Sequence, residues 1–256
     1  MKSQIKSALA HAALLLFVAG LAAGAGLPGV QSDKGSDEVR AAVEKRLRSH
    51  KILVDNNVQV QVSDNTITLT GSVLTLTQKD QAIRDAKAVK SKYRLVDNLQ
   101  VKKSDLTPDQ MAETLMGLIE KSSYYTIFDY VEAEAQPDGT VVLSGWADSP
   151  SHVSEFEKLA ENVPGVTQIR SRLSVIFPED PDRILRDRAA QIIYTQPTLM
   201  SFRQQRGPIH ILAQNGTITL VGTVGSPGEK ESIGMLIRNN TGALAVDNEL
   251  EVIEKK

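Results

Sequence analysis

The residues with the widest chemical repertoire in this chain are its four histidines, His11, His50, His152 and His210. No two stand at i, i+4, and none belongs to a metal-ligand spacing. That distribution fits solvated or capping histidines. Asp148, Ser149 and His152 hold the groups of a nucleophile–base–acid set. The run Asp-Ser-Pro-Ser at 148–151 reads more simply as the cap that opens a helix. No pair of carboxylates recurs at a fixed spacing, so a repeated glycosidase-like site is unsupported. The chain contains no cysteine, which excludes thiol nucleophiles, disulfides and thiolate metal sites. Neither an enzyme nor a cofactor or metal is expected.

The pattern that does recur is structural. Asp64-Asn65-Thr66-Ile67-Thr68-Leu69-Thr70-Gly71 returns as Asp138-Gly139-Thr140-Val141-Val142-Leu143-Ser144-Gly145 and as Asn215-Gly216-Thr217-Ile218-Thr219-Leu220-Val221-Gly222. Thirty residues after each glycine stands a valine (Val101, Val175, Val252), preceded two residues earlier by Leu99, Leu173 or Leu250. The glycines themselves recur 74 and 77 residues apart, so the matched landmarks mark a repeated structural unit. The glycine after each strand leucine predicts a bulge, or close approach by the helix behind the sheet. Gly71, Gly145 and Gly222 are therefore structural candidates rather than a ligand cradle.

Each unit has the same order of elements. An amphipathic helix comes first, with Val39, Val43 and Leu47, then Met111, Leu115 and Leu118, then Leu185, Ala189 and Ile192 facing inward. Alternating strands follow at Val58–Val62, Val131–Ala135 and Ile209–Ala213. The Asp-Asn, Asp-Gly and Asn-Gly pairs are hairpin-turn signals. Second helices are expected over 77–90, 150–162 and 227–239. The fold class is α+β: three tandem αββαβ units, each a small three-stranded sheet with two helices packed on it. The expected division is a signal peptide at 1–25, a linker at 26–35, and units at 36–105, 106–177 and 178–256.

Export is read from the start of the chain. Lys2 and Lys6 precede an apolar run, and Ala23-Gly24-Ala25 is a small-x-small cleavage site. A mature start near Gly26 and a periplasmic or secreted location are expected.

The units resemble the BON domain, on the Thr-Ile/Val-x-Leu-x-Gly-x-Val core and on a closing Val-Asp-Asn-x-Leu-x-Val. The third unit carries the closing motif in full, as Val246-Asp247-Asn248-Glu249-Leu250-Glu251-Val252. The first unit has Val96-Asp97-Asn98-Leu99-Gln100-Val101, one residue shorter, and the second lacks the Asn. The resemblance implies an exported, non-catalytic envelope protein linked to osmotic stress, with phospholipid membrane surfaces as partner. An envelope protein or peptidoglycan is the alternative partner of an interaction scaffold.

Charge suggests where a membrane would be met. The 29 Lys+Arg against 31 Asp+Glu give no basic excess, so no nucleic-acid partner is expected. Residues 26–105 carry 14 basic and 10 acidic side chains, residues 106–177 only 4 against 11. The first unit's second helix carries Lys79, Lys87, Lys90 and Arg94 on one face, within about 80° of arc at roughly 100° per residue. Such a stripe suits anionic lipid headgroups, a solvated helix face, or the acidic second unit. Tyr124 and Trp146 are the best candidates for exposed interfacial aromatics, although core packing is the ordinary fate of such rings.

Overall fold

A computed structural model describes residues 34–89, 92–195 and 209–253. The expected signal peptide, most of the linker and Lys90 lie outside the described residues. The first unit comprises α1 (Lys34–Ser49), α2 (Ile52–Asp55), β1 (Asn57–Ser63), β2 (Thr66–Val73), α3 (Leu76–Lys87) and β3 (Arg94–Val101). The second comprises α4 (Pro108–Ile119), β4 (Tyr130–Ala135), β5 (Thr140–Ala147), α5 (Pro150–Glu161), β6 (Gln168–Ser171) and β7 (Ser174–Val175). The third comprises α6 (Asp180–Thr195), β8 (His210–Gln214), β9 (Thr217–Val221), β10 (Thr223–Val224), α7 (Pro227–Thr241), β11 (Ala245–Asn248) and β12 (Glu251–Val252).

In each unit the first two strands pair antiparallel, and the third pairs parallel with the second. The middle strand of the chain order is thus the central strand of the sheet. A parallel neighbour needs a crossover, and the second helix supplies it. Side chains at i, i+2 of the central strand enter the core with the apolar stripes of both helices. Ile67 and Leu69 meet Val43, Leu47, Ala82, Ala86 and Leu99 in the first unit. Val141 and Leu143 meet Leu115, Ile119, Phe156 and Ala160 in the second, and Ile218 and Leu220 meet Ala189, Ile193, Ile233 and Ile237 in the third.

The local signals act as their chemistry requires. Thr75, Ser149 and Ser226 accept a hydrogen bond from the third residue of the helix they cap, and Thr107 and Gln110 form a reciprocal capping box. Asp64-Asn65 and Asn215-Gly216 turn their hairpins with positive φ at both central residues.

Several details differ from the sequence reading. The buried stripe of α4 is Met111, Leu115 and Ile119, with Leu118 facing solvent. In α6 it is Ala189 and Ile193. Helix α3 stops at Lys87, so Arg94 opens a strand and shares no helix face with Lys79. The third strand is broken in units two and three, between β6 and β7 and between β11 and β12.

Gly71 and Gly145 make no bulge, and the atoms nearest them belong to the neighbouring strand and not to a helix. Gly71 sits one-to-one opposite Val58 on one side and Leu99 on the other, and Gly145 opposite Val131. Their φ values are +105° and +112°. A Cβ would stand 1.9 Å from the Asn57 carbonyl oxygen at Gly71 and 2.1 Å from that of Tyr130 at Gly145. The close approach comes from the neighbouring strand's backbone. Gly222, at φ +140°, separates β9 from β10, while the register to β11 and β12 is unchanged across it.

Register also corrects the alignment of the closing motif. Asp97 lies opposite Leu69, and Asn248 opposite the equivalent Leu220. Asp97, not Asn98, therefore matches Asn248. Both latch the sheet to the residue eight places after the repeated glycine. Lys79 Nζ pairs with Asp97 at 3.2 Å and donates to the Leu99 carbonyl at 2.7 Å. Asn248 Nδ2 donates to the Lys230 carbonyl at 2.7 Å.

Candidate interaction surface

The histidines are not spectators. His152, on the first turn of α5, places Nδ1 2.8 Å from Oδ1 of Asp129, which is wholly buried. Asp129 also accepts from the Thr126 N–H, the Thr126 hydroxyl and the Asp148 N–H. Asn56, its counterpart one repeat earlier, accepts from the Leu74 N–H at 2.9 Å in the same way. A side-chain acceptor just before the first strand thus fastens the start of the crossover. In the first unit His50 Nδ1 meets the buried Asp85 of α3 at 2.8 Å, with Gln81 donating to the other oxygen. His50 stays half-exposed.

Among the described residues no nucleophile completes either pair. Ser149 Oγ contacts Ser151 Oγ and accepts the His152 backbone N–H, so it caps the helix. Asp148 turns away to Arg186 of the third unit. Among the described residues no group of three or more His, Cys, Asp or Glu could hold a metal ion.

Asp148 and Arg186 belong to a joint between units two and three. The Ile211 N–H, on the outer edge of β8, donates to the Ile127 carbonyl at 2.8 Å. Ile127 and Phe128 pack on the third unit's core, and the Arg186 guanidinium lies 4.0 Å over the Phe128 ring. His210 is buried beneath Tyr125 and Tyr130, with ring centroids 5.1 and 5.7 Å away. Its Nε2 is 3.2 Å from the Tyr125 hydroxyl. Burial pushes the Tyr125 hydroxyl up to about 12. Burial holds His210 below its ordinary value, and the carbonyls of Asp129 and Thr126 offset this in part. Its Nδ1 is buried with no hydrogen-bond partner among the described residues.

Units one and two meet differently. The Gly165 N–H donates to the Leu74 carbonyl, and Leu76 packs against the second unit's core. Asp80 of α3 faces Glu157 and Glu161 of α5 across a shallow cleft. Burial, then the charges of Asp80 and Glu157, raises the Glu161 carboxyl.

The family model of the BON domain matches residues 36–103, 128–176 and 200–254, more than half of the chain. The chain belongs to the BON family. Its three BON matches fall on the three sheets described above. No curated protein matches it. Among solved structures it is similar to CdsD, a structural protein of the type III secretion system of Chlamydia trachomatis, at 12% identity over 86% of this chain and 94% of that one, with a TM-score of 0.25. It is also similar to the PrgH periplasmic domain, at 12% identity over 81% and 100% of the two chains, with a TM-score of 0.22. At such TM-scores the whole chains do not superpose.

Within this BON architecture the sequence-derived candidates scatter. Lys79 is half-buried and committed to Asp97 and Leu99. Lys87 and Arg94 are exposed, together with Lys92, around the turn from α3 to β3. Tyr124 is 43% exposed and meets the His152 ring edge-on. Trp146 is half-buried against Tyr130, and its indole N–H is buried without a partner among the described residues. The four-residue stripe thus reduces to a basic cluster at one end of the first sheet.

Proposed function

We propose that the chain is a non-catalytic, exported envelope protein that docks the basic end of its first BON unit on an anionic phospholipid surface, in the setting of osmotic stress. The observation that carries this reading is the exposed cluster of Lys87, Lys92 and Arg94 on a unit whose neighbour is strongly acidic. That asymmetry orients the molecule, with the acidic second unit held off the lipid. Each basic side chain near such a surface contributes about 1 kcal/mol, so binding is weak, cumulative and salt-sensitive. No helix among the described residues is long and apolar enough to cross a membrane.

The test is co-flotation of the mature chain with vesicles. Binding should require anionic lipid and fade as the Debye length falls from about 30 Å at 0.01 M salt to about 8 Å at 0.15 M. Replacing Lys87, Lys92 and Arg94 with Gln should abolish it while the melting temperature holds. Equal flotation of the variant would overturn the reading.

A scaffold for another envelope protein or for peptidoglycan is the second reading. The joint between units two and three favours it, because there a BON sheet edge takes another segment by backbone hydrogen bonding and apolar packing. A partner recovered by cross-linking, with no flotation, would give this reading precedence.

A further inference from the structure

Among the described residues three buried side-chain nitrogens lack a hydrogen-bond partner: Trp146 Nε1, Arg186 Nε and His210 Nδ1. All three lie at the joint between units two and three. Trp146 stacks on Tyr130 with ring centroids 5.0 Å apart, Tyr130 lies against His210, and Arg186 reaches across to Asp148 and Phe128. Among the described residues the joint between units one and two holds no such atom. A buried donor without an acceptor gives up its hydration and regains nothing, so each of these atoms weakens docking. Apolar packing by Ile127 and Phe128 holds the surfaces together against them.

His210 can add a further penalty. Ile209, Ile211 and Ala213 fill the core face of β8, so His210 falls on the outer face of the third sheet, opposite Val221. There it is buried under Tyr125 and Tyr130 of unit two. The titratable groups that face it are those two hydroxyls and the Asp129 carboxylate. Glu132 accepts from the Tyr130 hydroxyl at 2.6 Å, Glu251 stands near that hydroxyl, and the Tyr194 hydroxyl of α6 bonds to the Ile209 backbone. Asp129 is already committed to His152, Thr126 and the Asp148 N–H, and Asp148 to Arg186. The Asp129 charge and the carbonyls of Asp129 and Thr126 favour an imidazolium, but burial outweighs them.

We propose that the joint between units two and three is an acid-operated latch: protonation of His210 releases the Tyr125–Tyr130 segment from the third sheet and exposes the β8 edge while both units stay folded. Release gives the imidazole to water and leaves Ile211, Ile218 and Leu220 in their own core. Such an opening needs less free energy than unfolding the unit. Once released, His210 titrates near its ordinary 6.5, whereas docking holds it lower, so acid favours the open joint. Linkage multiplies the opening constant by at most about 30-fold between about pH 7.5 and about pH 5, the limit for a group that stays neutral when docked. The latch is independent of the membrane reading, since the basic cluster lies in unit one.

The Ile211 N–H reports the latch, because its acceptor is the Ile127 carbonyl across the joint. The amides of β9, the central strand of the third sheet, report unfolding of the unit itself. The experiment is amide hydrogen exchange on the mature chain from about pH 7.5 to about pH 5, with intrinsic exchange rates divided out. Protection of Ile211 should lie at least about tenfold below that of the best-protected β9 amide, as a separate and easier opening requires. It should fall several-fold with acid, within the limit of about 30-fold. In His210→Phe it should stay level across the range, and His210→Gln serves if the first variant misfolds. Equal protection at Ile211 and β9 would mean that the joint opens only when the unit unfolds, and would overturn the inference. So would Ile211 protection indifferent to pH, or the same acid response in a folded variant without the imidazole.

Discussion

Asp129 Oδ1 lies 2.8 Å from Nδ1 of His152, 23 residues further along the chain, and the carboxylate is wholly shielded from water. The pair locks the entrance of β4 to the first turn of α5. Its remaining bonds run to Thr126 and to the Asp148 backbone, so the second unit has a polar keystone at the end that receives unit three.

Asp129→Ala should cost the second unit about 3–5 kcal/mol, because several buried donors lose one charged acceptor together. Urea unfolding followed by near-ultraviolet circular dichroism measures it. A loss below about 1 kcal/mol would mean that water replaces the carboxylate.

His210 makes stability pH-dependent. Its folded value is depressed, so below the ordinary 6.5 the unfolded chain binds a proton that the folded chain refuses. Stability of the third unit should be full above 6.5 and should fall as the pH drops below it. His210→Phe should flatten the melting profile between about pH 5 and 7, a window set by the unperturbed histidine value. An identical slope in variant and parent would assign the effect to another group.

Gly71→Ala and Gly145→Ala should each destabilise by about 2–5 kcal/mol, combining a strained positive φ with a clash against backbone. The carbonyls of Asn57 and Tyr130 belong to paired strands and cannot withdraw as a flexible side chain would. Denaturation midpoints that match the parent's would reject this account.

Lys79→Gln should lower the first unit's stability by about 1 kcal/mol through lost contacts to Leu99 and Asp97. It should leave vesicle flotation unchanged, in contrast to substitution at Lys87 or Arg94. Reduced flotation at constant melting temperature would return Lys79 to the membrane surface.

The repeat, the order of elements, the hairpin turns and the caps were legible because each is written in residues close in sequence. The third-strand breaks were not, since Leu173 and Leu250 keep the spacing of the unbroken Leu99. The true extent of α3 was obscured by lysines that suit a helix and a turn equally. The partners of His50, His152 and His210 depend on tertiary placement, and no spacing rule reaches Asp85, Asp129 or Tyr125. One signal was available: Asn56 and Asp129 occupy the same place in the repeat, a polar side chain immediately before an alternating strand. Comparing repeats for polar positions as well as apolar ones would have found it.

The cores are not independent of one another. Unit one contributes Leu76 to the second core, and unit two contributes Ile127 and Phe128 to the third. Among the described residues no later unit returns a side chain to an earlier core. The dependence has a direction, from the N-terminal end to the C-terminal end, which is also the direction of synthesis. Each unit emerges after the neighbour that lends it side chains. Truncation should accordingly be asymmetric: shortening from the C-terminus leaves the upstream cores whole, while removing the first unit takes Leu76 from the second.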